Sequence, residues 1–136
     1  TLLNIGGGSM VVKDIKGSQH VSKSLAGAIR YVNTTGRTFN AESISGYIAF
    51  INSPATESIN AKLTKGSIQF SVPQTTKATL NLKSGTNISA SVLNPSNFSG
   101  TNTRMLVDGK LNGGGYKINA EQGVGSIQLN WYNANN

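Results

Sequence analysis

A chain of 136 residues with no cysteine is one domain by length, large enough for a core without disulfides and free of thiolate or cysteine-built zinc chemistry. Twelve Lys and Arg against five Asp and Glu give a net charge of +7, yet only 12% of residues are charged, about half the usual share. The basic residues are dispersed, which argues against a nucleic-acid tract, and no run of 18 apolar residues is present to span a bilayer as a helix.

In chain order, Thr1 in place of Met leads us to expect a processed or excised chain, with any signal peptide already removed. Residues 1–9 read as a short apolar strip, Leu2, Leu3 and Ile5, followed by a flexible Gly6-Gly-Gly-Ser9 linker. Residues 10–136 read as one β-domain. Met10–Ile15 is a candidate strand. Over residues 20–32 the apolar spacing suits either a helix, which Ala26-Gly27 weakens, or a strand, and the balance leans slightly to strand because everything downstream is β. Ile44–Ile51, rich in β-branched and aromatic residues, reads as a central buried strand stopped at Asn52-Ser-Pro54.

Further strands are expected at 59–63, 67–72, 78–82, 88–92, 104–107 and 116–118, with a hairpin turn at Asp108-Gly109. In Gly123–Tyr132, Ile127, Leu129 and Trp131 alternate with polar residues, so one face of a last strand walls the core. Eight or nine short strands at spacings near ten residues predict an all-β, antiparallel, Ig-like Greek-key sandwich of about 7–9 strands. No repeat of fixed period is read.

Chemistry is sparse. The closest two carboxylates in sequence, Asp108 and Glu121, stand 13 residues apart, and His20 is alone, expected as an exposed or satisfied polar residue. No calcium loop, phosphate loop or nucleophile elbow occurs. We therefore expect no enzyme activity, no cofactor and no metal. Phe98 and Tyr132 are the aromatics expected at the surface, where they could stack on a sugar. Three sequons, starting at Asn33, Asn87 and Asn97, are unsurprising in a chain this rich in Asn, Ser and Thr.

Gly123, Ile127, Leu129, Trp131 and Tyr132 resemble the last strand of chaperone–usher fimbrial subunits, with a departure: Asn135 holds the place of that family's penultimate aromatic. The resemblance implies a secreted, surface-located filament subunit that assembles by strand donation. Leu2, Leu3, Ile5, Met10 and Val12 would then be the donor, and Ile127, Leu129 and Trp131 the accepting strand. The implied partners are further copies in a polymer, an assembly chaperone, and a host glycan or protein receptor, with nucleic acid not expected. A carbohydrate-binding module and a viral or phage shell protein are the alternative functions.

Overall fold

The computed structural model describes the backbone of Leu2–Ile5 and all of residues 9–132. Among the described residues ten strands run in order: β1 (Leu2–Ile5), β2 (Ser9–Lys13), β3 (Gln19–Val32), β4 (Gly36–Ile51), β5 (Ala55–Val72), β6 (Ala78–Ser84), β7 (Ile88–Ser89), β8 (Phe98–Asn102), β9 (Leu106–Leu111) and β10 (Tyr116–Trp131). The protein is all-β, as expected, but it is not an antiparallel Ig-like sandwich. The sheet runs β1-β3-β4-β5-β10-β6-β9-β8, with β2 beside β3 and β7 beside β10. Every pair is parallel except β6–β9 and β8–β9.

Parallel neighbours ordinarily need a crossover of a dozen residues or more. Here three residues, Asn33–Thr35, join β3 to β4. The crossover lies inside the strand itself. β3, β4, β5 and β10 each carry a glycine at positive φ near the middle, namely Gly27, Gly46, Gly66 and Gly125, and these align in register. The bend divides each strand into two arms that face each other across the core. Within β3, Ser22 on the first arm hydrogen-bonds the Tyr31 hydroxyl on the second, and Tyr31 meets Phe39 on the first arm of β4 edge-on at 5.2 Å.

Each bent strand is therefore one rung of a coil, and from β3 to β5 the next rung follows 19 or 20 residues later. This corrects the expectation of no repeat. Asp14, Asn33 and Asn52 close successive rungs with φ of 56, 49 and 46 degrees, a conformation that Asp and Asn tolerate best among non-glycine residues. Their backbone N–H groups donate to Val32, Ile51 and Ser71 of the following rung at 2.8–3.0 Å.

Stacked rungs place like residues over like. Ile29, Ile48, Ile68, Ile127 and Ile88 form one buried column. Beside it Tyr31, Phe50 and Phe70 stack at 5.4 Å between successive ring centroids. The last strand, β10, does not add to the end of the stack. It inserts between β5 and β6 and is paired on both sides.

Residues 20–32 lie within one strand, β3, the side to which the sequence leans. Three other local expectations change. The pieces expected at 59–63 and 67–72 are the two arms of β5, joined through Gly66. Asp108-Gly109 is mid-strand in β9 rather than a turn, because Gly109 packs against Gly100 of β8. The chain reverses instead at Thr103–Met105, where the Thr103 N–H donates to the Leu106 carbonyl at 2.8 Å. Finally, Leu2–Ile5, expected as a tethered segment, pairs with Val21–Ser24 in the same sheet, while Gly6–Gly8 lie outside the described residues.

Candidate functional site

One four-residue pattern recurs on the first arms: Phe39-Asn-Ala-Glu42, Ile59-Asn-Ala-Lys62, Ile118-Asn-Ala-Glu121 and Leu80-Asn-Leu-Lys83. The two-residue period of a strand sends the first and third residues into the core and the second and fourth outward. The burial agrees: Phe39, Ile59, Ile118 and Leu80 are buried, as are Ala41, Ala61, Ala120 and Leu82. Because the rungs are in register, the outward residues form two columns.

The first is a row of amides, Asn40, Asn60, Asn119 and Asn81. The second alternates in sign, Lys23, Glu42, Lys62, Glu121 and Lys83. Two residues of strand separate the columns, about 7 Å, and successive rungs lie about 4.8 Å apart. Between the columns runs a trough of about 320 Å³, whose lining includes Ser22, Ala41, Ala61 and Ala120 between the two rows.

Hydrogen bonds orient the amide row. Asn119 Nδ2 donates to Asn60 Oδ1 at 3.0 Å, and Asn60 Nδ2 donates to Asn40 Oδ1 at 3.1 Å and to Ser58 Oγ at 3.3 Å. Asn60 thus spends both N–H groups inside the protein. Among the described residues, the Asn40 N–H groups, the second N–H and the Oδ1 of Asn119, and the whole Asn81 amide have no such partner. The charged column forms no ion pair among the described residues; Arg37 and Glu57 do, at 3.4 Å on an exposed part of the molecule. The trough therefore offers amide and charged groups together on β4, β5, β10 and β6, and Lys23 beside Val21 on β3.

The residues singled out from sequence lie elsewhere. Met10 and Val12 fill the core of their own chain at 7% and 6% exposure. Ile127 and Leu129 are buried in the centre of the stack, and Trp131 packs partly buried against it. Phe98, half-buried, packs on the core beside Gly109, and the N–H of half-buried Tyr132 donates to the Val72 carbonyl at 2.7 Å. Neither aromatic lines the trough, and the two are not brought together there. His20 is fully buried, stacked on Phe39 at 4.8 Å, with Nε2–H donating to the Thr35 carbonyl at 3.0 Å. Among the described residues no three His, Cys, Asp or Glu gather. The trough was legible only through the recurring hydrophobic-Asn-Ala-Glu/Lys pattern.

The family profile Toastrack DUF4097 matches residues 3–130. The chain belongs to the Toastrack DUF4097 family. The fimbrial resemblance of the last strand is not a family match; the alternation of Ile127, Leu129 and Trp131 reflects burial in a Toastrack rung. No curated protein matches the chain. Among solved structures, the Toastrack chain is similar to a "putative cell adhesion protein" from Clostridium sporogenes ATCC 15579. The TM-score is 0.62 and the identity 12%, over 95% of this chain and 91% of that one, a likeness of fold.

Proposed function

We propose that this chain is a non-enzymatic adhesion module, secreted or displayed at the cell surface, that holds a partner against the outward columns of its rung stack. The observation that carries the reading is the trough: five successive rungs present polar groups in register, on a rigid frame whose backbone groups are already paired. A repetitive, polar, shallow face of that kind suits many weak contacts with a large partner better than it suits turnover of a small substrate. The adhesion description of the structurally similar protein supports the same reading.

Beads coated with the chain should be retained on intact cells or isolated cell envelopes, and free chain should compete that retention away. Retention no higher than that of beads coated with an unrelated basic domain of equal charge would sink the adhesion reading.

Assembly into a filament is a second reading, favoured by one observation. Among the described residues β1 and β2 pair on one side only, with β3, which leaves the other edge of that rung open. This rung is occupied by the chain's own N-terminal residues, so copies would join edge to edge rather than by lending the strand. Light scattering that shows a monomer at every concentration would remove this reading and leave the first intact.

A further inference from the structure

Resting on the adhesion reading, we propose that the trough is a binding site for a neutral, linear polysaccharide lying across the rungs. Its period comes first. An extended chain of pyranose rings advances by roughly 5 Å per sugar, close to the strand spacing of about 4.8 Å. Each sugar can thus meet one rung, and hence one charged side chain and, on every rung but β3, where Val21 stands in the row, one amide. The unspent valences come second. Asn60 is held on both sides and acts as a positioning residue, leaving amide groups of Asn40, Asn119 and Asn81 free for hydroxyls, which both donate and accept.

Charge selects among polymers. A polyanion such as a nucleic acid would meet Glu42 and Glu121, and a polycation would meet Lys23, Lys62 and Lys83. A neutral hydroxylated chain uses both signs, taking hydrogen bonds from lysine and giving them to glutamate. A peptide could not dock here by strand addition, because the central strands already spend their backbone groups on both neighbours. Among the described residues no aromatic platform lines the trough, so each polar contact only replaces water and a single sugar binds weakly. Affinity must come from length.

The test is calorimetry and side-chain amide NMR on the full chain. The probes are β-1,4-linked hexamers of glucose and of N-acetylglucosamine, the corresponding dimers, and a heparin hexasaccharide. At least one neutral hexamer should bind at least about tenfold more tightly than its dimer, shifting the amide signals of Asn40 and Asn119. Asn40→Ala with Asn119→Ala should weaken that binding by about tenfold or more, while Gln69→Ala, on the second arm of β5, should leave it unchanged. Unmoved amide signals in the unaltered chain would overturn the site without recourse to variants. Failure of both neutral hexamers, or tighter binding of heparin that fades with salt, would overturn the ligand class. Beads that still adhere when the hexamers fail leave the adhesion role standing without this ligand. Beads that fail as well remove both.

Discussion

Gly46 sits at the bend of β4 with φ of 125 degrees, where a Cβ would run into the Gly27 carbonyl of the preceding rung. The same contact recurs between Gly66 and Gly46, and between Gly125 and Gly66. Alanine at Gly46 therefore adds backbone strain to a clash with main chain that cannot swing aside. Gly46→Ala should cost about 3 kcal/mol or more, read from the shift in urea midpoint. Gly113 also has positive φ, 89 degrees, but nothing lies within 4 Å of its Cβ position. Gly113→Ala should cost only about 1 kcal/mol, the strain alone. Equal losses at the two sites would show that the glycine column does not set the bend. Tyr116 makes a residue-scale prediction of a different kind. Burial pushes its phenol from 10.0 up to about 12. The folded form then keeps the proton between pH 10 and about 12 while the unfolded form gives it up, so its effect on stability is absent below pH 10 and grows as pH rises through that window. The loss amounts to about 1.4 kcal/mol per pH unit at most. Urea midpoints from pH 9 to 12 should fall in wild type and fall less steeply in Tyr116→Phe.

At the scale of the element, alternation was the legible signal. Ile68, Phe70 and Val72 point inward as their spacing requires, and so do Ala78, Leu80 and Leu82. What alternation cannot give is the partner. A short link between strands usually means a hairpin, and here it means a coil, because Gly27, Gly46, Gly66 and Gly125 turn single strands into two-armed rungs. Breaking β5 and β10 at those glycines produced the appearance of many short strands. The repeat that would have corrected this is present as Gly27-Ala-Ile-Arg-Tyr31, Gly46-Tyr-Ile-Ala-Phe50, Gly66-Ser-Ile-Gln-Phe70 and Gly125-Ser-Ile-Gln-Leu129. Two things hide it. The inward residues are interchangeable by size rather than identity, as His20, Phe39 and Ile59 are on the first arms. The fourth copy also lies far down the chain from the third. The trough was hidden for a related reason: polar outward residues at a single rung look like ordinary surface, and only stacking turns Asn40, Asn60 and Asn119 into a row. Phe98, by contrast, sits in a polar stretch but is drawn inward by the gap that Gly100 and Gly109 leave between β8 and β9.

For the whole molecule, the placement of β10 decides how the stack closes. A solenoid is held by contacts between neighbouring rungs, so an end rung can be lost at the cost of one interface, whereas an inner rung takes two with it. β10 is an inner rung made by Tyr116–Trp131, far along the chain from its neighbour β5. Asn119 lies against Asn60, 59 residues earlier, so the sheet cannot close until β10 has been made, and non-local pairing of this kind slows folding. Deleting residues 1–13 removes β1 and β2 and uncovers Ile29 and Tyr31 on one side, but the pairs from β3 through β6 survive. That shortened chain should still unfold in one cooperative step, with a lower urea midpoint. Deleting residues 123–136 removes the second arm of β10 and leaves Ile68 and Phe70 on one side of the gap, and Ile88 on the other, with no rung between them. This chain should show no cooperative transition by circular dichroism, although both deletions remove a similar length. A cooperative transition near that of the full chain after the C-terminal deletion would mean that β5 and β6 can close on each other, and that β10 is an addition to the core rather than its centre.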